Sequence, residues 1–122
     1  MATGNLRRVL IVDDNLDLAE NIAEILQIDG HLTDIAGSAE DGLSKALKNE
    51  PDVVVTDYRL PGINGAVFIK QFLVTRARVI AVVISAYTDE DTMKEARDSG
   101  ATFMAKPVDF KVLSRLVVGA VA

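Results

Sequence analysis

The sequence contains no cysteine and only one histidine, His31. The first absence excludes a disulfide framework and thiolate chemistry, and the second argues against a transition-metal site built from histidines. No basic patch interleaved with aromatic residues accompanies the net charge of −5, so direct binding to nucleic acid is not expected. No apolar run approaches the roughly 20 residues of a membrane span, and the polar stretch after Met1 is not typical of a signal peptide. These absences predict a soluble, cytoplasmic domain with no membrane partner.

What the sequence does contain is a set of five predicted strands, of which only the second lacks a clear apolar run, alternating with five predicted helices. The predicted strands are residues 8–12, 31–36, 53–57, 79–84 and 102–105. The predicted helices are residues 16–29, a segment from a Ser38 cap to Asn49, residues 66–74, a segment from a Thr88 cap to Ser99, and residues 109 to about 121. The apolar face of the second helix is assigned to Leu43, Ala46 and Leu47.

Strict alternation of strands and helices predicts right-handed crossovers and a parallel sheet with helices on both faces, which is the α/β class. No repeat, linker or low-complexity segment divides the 122 residues, so we expect one domain over 1–122. His31 has no evident partner and is interpreted as an edge-strand or loop residue.

Polar side chains follow four of the predicted strands at the points where these strands end. In a parallel sheet all these ends lie at one edge, where ligands bind. The side chains expected to converge there are Asp13, Asp14, Asp57, Ser85 and Lys106.

One lysine cannot neutralise three carboxylates, since two like charges about 4 Å apart repel by roughly 4 kcal/mol at an effective dielectric of 20. A divalent cation that prefers oxygen can do so, and Mg²⁺ is commonly held by one or two carboxylates together with substrate phosphate. Such a metal beside a lysine and a hydroxyl suits phosphoryl transfer. An ionised carboxylate can itself be the nucleophile and form an aspartyl phosphate.

These residues, in this order, resemble the receiver domain of bacterial response regulators. The resemblance extends from about Arg8 to Leu116 and rests on the Asp13-Asp14 pair, Asp57 with Pro61 and Gly65 after it, Ser85, and Lys106-Pro107. It implies a flavodoxin-like, doubly wound sheet with strand order 2-1-3-4-5. The weak second strand fits an edge position, and the valine-rich first and third strands fit central positions.

The resemblance implies that Asp57 is the phosphoacceptor and that Mg²⁺, or Mn²⁺ in its place, is the cofactor. Asp14 and Asp57 would bind the metal directly, together with the backbone carbonyl of Arg59. Asp13 would act mainly through water.

The resemblance also implies roles for residues around the phosphoryl group. Lys106 would pair with Asp57 and then with a phosphoryl oxygen, and its bond to Pro107 would be cis. Ser85 would move to hydrogen-bond the phosphoryl group, and Phe103 matches the aromatic residue that turns inward when Ser85 moves. Phe103 has no hydroxyl, so any such switch must work by packing.

Two positions that vary in the family flank the expected phosphoryl site. They are Arg59, two residues after Asp57, and Tyr87, two residues after Ser85. The hypothesis is that both side chains partly screen the phosphoryl group from water and slow its hydrolysis.

As partners, the resemblance implies a sensor histidine kinase or a histidine phosphotransfer protein upstream, and an output domain or target protein downstream. The output face would be the fourth helix, the fifth strand and the fifth helix. Such a domain promotes its own phosphorylation and dephosphorylation and is not a turnover enzyme. The sequence names neither kinase nor output, and a phosphorylation-dependent homodimer stays open.

Each residue also has a plainer interpretation on its own. Asp13 and Asp14 could be a turn in which an aspartate caps a helix, Lys106 an ordinary loop residue and Phe103 simple core. Arg59 and Tyr87 could be surface residues.

Rival functions are less compatible with the sequence. A flavin-mononucleotide domain would need a phosphate loop rich in serine, threonine and glycine after the first strand, where this chain has acids. A phosphohydrolase using Asp13 would usually carry an inserted cap domain. The remaining alternative is a degenerate receiver that acts only as a phosphorylation-independent docking module.

Overall fold

The computed structural model describes residues 6–75 and 78–119. Its strands are β1 Arg8–Val12, β2 Leu32–Ala36, β3 Val53–Asp57, β4 Ile80–Ser85 and β5 Thr102–Ala105. Its helices are α1 Leu16–Ile28, α2 Ala39–Asn49, α3 Gly65–Thr75, α4 Glu90–Asp98 and α5 Phe110–Gly119. The predicted continuation of the last helix to about residue 121 lies outside the described residues.

The five strands form one parallel sheet in the order β2-β1-β3-β4-β5. This confirms the α/β class and the strand order implied by the resemblance. Every residue of β3 is buried, whereas in β2 only Ala36 is buried. Continuous apolar runs therefore form the interior strands, as expected for a sheet covered on both faces.

The core lies in two layers, one on each face of the sheet. Helices α1 and α5 cover one face through residues such as Ile22, Leu26 and Leu113. Helices α2, α3 and α4 cover the other, where Phe68 and Phe72 are the largest buried side chains. Among the described helices, none combines the length and apolar character needed to cross a bilayer.

The burial of α2 differs from the prediction, because Leu47 is 68% exposed. The buried residues of this helix are Ala39, Gly42 and Ala46. A Cβ at Gly42 would lie only 3.0 Å from a methyl carbon of Val12. Small residues thus form the face of the helix that packs against the sheet, and Leu47 lies outside this face.

The N-cap of α4 also differs from the prediction. The helix begins at Glu90, so the cap is Asp89 rather than Thr88. A carboxylate oxygen of Asp89 accepts a 3.0 Å hydrogen bond from the Thr92 N–H, which satisfies a free donor of the first turn.

His31 lies in the loop before β2, as predicted, but it does have a partner. It is 5% exposed, and its Nδ1 accepts a 2.9 Å hydrogen bond from the backbone N–H of Arg7. Burial lowers the pKa of His31 below its ordinary value.

Candidate functional site

Three carboxylates meet at the edge of the sheet formed by the carboxyl ends of the strands. Asp13 and Asp14 follow β1, and Asp57 ends β3. One carboxylate oxygen from each lies within 4.8 Å of the other two. Asp13 and Asp57 are buried, whereas Asp14 is exposed, so the cluster opens to solvent on one side.

Local hydrogen bonds hold Asp13 just before the start of α1. The backbone N–H of Asp13 donates to the Ala36 carbonyl at 2.9 Å, and an oxygen of the Asp13 side chain accepts from the Asn15 N–H at 2.9 Å. The N-cap of α1 is Asn15, whose side chain accepts from the Leu18 N–H at 3.2 Å. Asn15 performs the capping role, so an aspartate cap does not explain Asp13 and Asp14.

Asp57 is positioned by the loop that follows it, between β3 and α3. The Gly65 N–H donates a 2.7 Å hydrogen bond to the Tyr58 carbonyl, which brings the start of α3 against the end of β3. A Cβ added at Gly65 would lie 2.3 Å from the carbonyl oxygen of Asp57. Only glycine fits at position 65 without moving the backbone of the central acid.

Lys106 reaches the acids from the end of β5. Its Nζ lies 3.1 Å from Asp57 Oδ1, and its backbone N–H donates a 2.9 Å hydrogen bond to the Ser85 carbonyl. The peptide bond between Lys106 and Pro107 is cis, as the resemblance implies. The structure therefore brings the ammonium group into direct contact with the central carboxylate.

The pKa values of two of the acids show that Lys106 alone does not offset the burial of these carboxylates. Burial raises the pKa of Asp13 to about 6, and the neighbouring Asp57 carboxylate adds to this rise against the Asn15 hydrogen bond. Burial also raises the pKa of Asp57, although the bond to Lys106 acts in the opposite direction. The folded protein thus holds partly buried negative charge that lacks sufficient compensation.

The donor set fits a hard divalent cation. Three carboxylates within reach of one another, with one open side, supply the oxygen ligands and the negative charge that Mg²⁺ prefers. With one lysine and no histidine or cysteine beside these acids, the chemistry of the site suits Mg²⁺ or Mn²⁺ better than a soft metal.

Ser85, at the end of β4, is buried, and its Oγ accepts a 2.9 Å hydrogen bond from the Tyr87 N–H. Arg59 and Tyr87, which the sequence suggested as separate flanking residues, contact each other. An Arg59 Nη1 donates to the Tyr87 hydroxyl at 2.9 Å, and the guanidinium carbon lies 5.2 Å from the centre of the tyrosine ring. Phe103 lies on β5 opposite Val83 and packs, half-buried, against the core layer of α2, α3 and α4.

Sequence reasoning missed a polar network next to the acids. The Tyr58 hydroxyl donates to one oxygen of Glu95 at 2.6 Å, and the Asn64 side-chain amide donates to the other at 3.0 Å. Glu95 lies on α4, more than 30 residues along the chain from both partners. No local pattern connects residues so far apart, and only the fold reveals the network.

Comparison with known proteins gives a consistent result. The family described as response regulator receiver domain matches residues 9–118. The chain is 38% identical over 104 residues to a response regulator receiver protein of Anaeromyxobacter sp. strain Fw109-5. This match covers 84% of this chain and 44% of that protein. The chain therefore spans less than half the length of that relative. It is 30% identical over 103 residues to sporulation initiation phosphotransferase F of Bacillus subtilis strain 168, covering 84% and 83% of the two.

A solved structure has the same fold. A chain in the crystal structure of the CheX-CheY-BeF3-Mg²⁺ complex from Borrelia burgdorferi has a TM-score of 0.85 and 25% identity. The match covers 94% of this chain and 89% of that chain.

Proposed function

The chain belongs to the response regulator receiver domain family, and on that basis we propose that Asp57 accepts a phosphoryl group from a phosphohistidine of a partner protein. The observation that carries this proposal is the placement of three carboxylates and Lys106 at one edge of the sheet, with Asp57 in contact with the lysine. The partner would be a sensor histidine kinase or a histidine phosphotransfer protein. We further infer that residues 1–122 act as one receiver domain in the cytoplasm.

The reaction is a displacement at phosphorus. A carboxylate oxygen of Asp57 forms the new P–O bond while the P–N bond of the phosphohistidine breaks. The leaving imidazole keeps the electron pair of that bond and takes its proton from solvent. The aspartyl phosphate then returns to the carboxylate when water attacks the phosphorus.

We propose that Asp14, Asp57 and the backbone carbonyl of Arg59 bind Mg²⁺ or Mn²⁺, with Asp13 acting through water. The bound metal would neutralise charge on the phosphoryl oxygens. The raised pKa of Asp13 and of Asp57 supports this assignment, because uncompensated carboxylates favour a cation. A chain of similar fold is found in a solved complex that contains Mg²⁺ and BeF3.

Lys106 would stabilise the transferred group by moving from Asp57 to a phosphoryl oxygen. Ser85 would exchange its bond from the Tyr87 N–H for one to the phosphoryl group, and Phe103 would follow by repacking. The affected surface would be α4, β5 and α5, which would act on an output domain or a target protein.

The test is intact mass spectrometry after incubation with acetyl phosphate, with and without Mg²⁺. We expect one Mg²⁺-dependent phosphoryl adduct, absent in Asp57→Asn and retained in Asp91→Asn, which removes an exposed acid from α4. An adduct that persists in Asp57→Asn would place the acceptor elsewhere. No adduct from acetyl phosphate or from a phosphorylated histidine donor would overturn the proposal in favour of a docking module.

A further inference from the structure

The side chain of Glu95 connects both ends of the loop that follows Asp57. Tyr58, the residue next to the acceptor, donates its hydroxyl hydrogen bond to one oxygen at 2.6 Å. Asn64, the last residue before α3, donates to the other oxygen at 3.0 Å and lies 3.4 Å from the Tyr58 hydroxyl. Hydrogen bonds to a carboxylate are shorter and stronger than those between neutral groups.

Both donors are themselves fixed to other elements. The Tyr58 N–H donates to the Ile84 carbonyl of β4 at 2.8 Å. The side-chain carbonyl of Asn64 accepts from the Val67 N–H at 2.9 Å and so caps α3. A displacement at the end of β3 must therefore either carry Glu95 with it or break a charge-assisted bond.

Helix α4 contributes few apolar side chains to the core. Its buried residues are Thr92 and Ala96, and Ser99 is buried just beyond its end, so a single alanine is the buried apolar side chain of the helix. Apolar packing of this kind leaves the position of a helix weakly determined. The carboxylate of Glu95 is thus a principal connection between α4 and the acceptor loop.

We propose that Tyr58, Asn64 and Glu95 form a clasp that couples the state of Asp57 to helix α4, with Tyr58 and Glu95 as positioning residues. This proposal rests on the proposed function, since it needs a phosphoryl group or its mimic at Asp57. The route differs from that through Ser85 and Phe103, because it starts at the residue covalently bonded to the acceptor. Coupling between Asp57 and the output surface requires an element whose position depends on both, and in this proposal that element is α4.

The test measures amide hydrogen exchange of α4 by NMR on ¹⁵N-labelled protein, before and after saturation with Mg²⁺ and BeF3⁻. Chemical shifts of the amides beside Asp13 and Asp57 report whether the site is loaded. In the wild type we expect α4 exchange rates to change by about fivefold or more, the lower end of ordinary coupling between sites. In Tyr58→Phe and in Glu95→Ala the site still loads, but that ratio falls towards one.

Asp98→Ala is the matched control, because it removes another carboxylate of α4, one paired with Lys94 at 2.7 Å on the exposed face. It should keep the wild-type response. Tyr58→Phe leaves the composition of α4 untouched, so it remains decisive even if Glu95→Ala melts the helix.

Each remaining outcome has a defined meaning. A wild-type response in Tyr58→Phe, an equal loss in Asp98→Ala, or a Tyr58→Phe protein that does not load would overturn the clasp. A wild-type protein that loads without any response of α4 would overturn the clasp and leave Asp57 as an acceptor. If the wild-type protein is neither phosphorylated by acetyl phosphate nor able to bind BeF3⁻, the proposed function and the clasp are both overturned.

Discussion

The guanidinium of Arg59 donates a 2.9 Å hydrogen bond to the hydroxyl of Tyr87, and its central carbon lies 5.2 Å from the centre of the same ring. The two residues follow Asp57 and Ser85 at the same spacing, so the contact joins the loops that follow the neighbouring strands β3 and β4. Both side chains are exposed. A paired arginine and tyrosine can act as one cover over the proposed phosphoryl site, which single residues would not form.

If Arg59 and Tyr87 screen the phosphoryl group together, removing either should expose it to water. We expect Arg59→Ala and Tyr87→Ala each to shorten the lifetime of the aspartyl phosphate by about two- to fivefold, the rate equivalent of the ~0.5–1 kcal/mol of an exposed cation–π contact. The double variant should lose its phosphoryl group no faster than the faster of the two single variants, because the effects of residues in contact are not additive. Lifetimes come from loss of the ³²P label at constant Mg²⁺. Multiplying effects would show that the two residues act separately, and unchanged lifetimes would rule out screening.

Gly65→Ala should destabilise the fold and displace the acceptor. The new Cβ would meet the Asp57 carbonyl oxygen at 2.3 Å, and the obstacle is backbone rather than a flexible side chain. We expect a loss of about 1–3 kcal/mol in the free energy of unfolding, the usual cost of forcing extra volume into a packed site. Urea unfolding measures it. Gly119→Ala, where a Cβ meets nothing within 4 Å, is the control and should not lose stability. Equal behaviour of the two variants would contradict the close contact at Asp57.

Asp13→Asn should stabilise the metal-free protein in a pH-dependent way. Because burial raises the pKa of Asp13 from 3.8 to about 6, the folded chain holds this proton more tightly than the unfolded chain. Wild-type stability from this group is therefore present near pH 4 and lost as the pH rises to about 6. A difference of about two units between the pKa of the folded and the unfolded chain corresponds to about 3 kcal/mol. The variant should regain this free energy of unfolding at pH 7. Asparagine keeps an oxygen for the Asn15 N–H.

The measurement is denaturant unfolding in EDTA from pH 4 to pH 7.5. Exposed Asp17→Asn serves as the control and should show no comparable gain. Adding Mg²⁺ should reduce the advantage of Asp13→Asn, since the metal supplies the missing positive charge. A gain that is constant across this pH range would show that ionisation of Asp13 is not its source.

His31→Asn should change the pH dependence in the opposite direction. Burial lowers the pKa of His31 from its ordinary 6.5, so the unfolded chain takes up the proton first as the pH falls. Wild-type stability from this group is present above pH 6.5 and is lost as the pH falls from there through the folded pKa. Asparagine keeps an acceptor for the Arg7 N–H and does not titrate. Unfolding profiles should therefore show the wild type losing stability relative to the variant below pH 6.5, and parallel profiles would contradict the buried neutral histidine.

Much of the site could be predicted because it depends on a simple geometric rule. Asp13, Asp57 and Ser85 each stand at or just after the end of a buried apolar strand, and parallel strands bring such ends to one edge. That rule needs only the position of a residue within its own element. The rule brought Lys106 to the same edge as the acids, and in the structure its Nζ lies 3.1 Å from Asp57 Oδ1.

The errors fell where a side chain is governed by its neighbours in space. The pattern of α2 suggested an inward Leu47, but the face that packs against the sheet is formed by Ala39, Gly42 and Ala46, and Leu47 lies outside it. The partner of His31 is the backbone N–H of Arg7, which lies directly before the neighbouring strand β1 and 24 residues away along the chain. Neither fact is encoded in hydrophobic periodicity.

The sequence by itself determined the alternation of strands and helices, the burial of β3 and the set of charged residues at the strand ends. These depend on the spacing of apolar residues along a single element, which the chain carries locally. Only the tertiary structure decided that Arg59 contacts Tyr87 and that Glu95 joins Tyr58 to α4. Those contacts link separate loops and helices, whose relative positions are set by the packing of the whole sheet and its two layers rather than by any one segment.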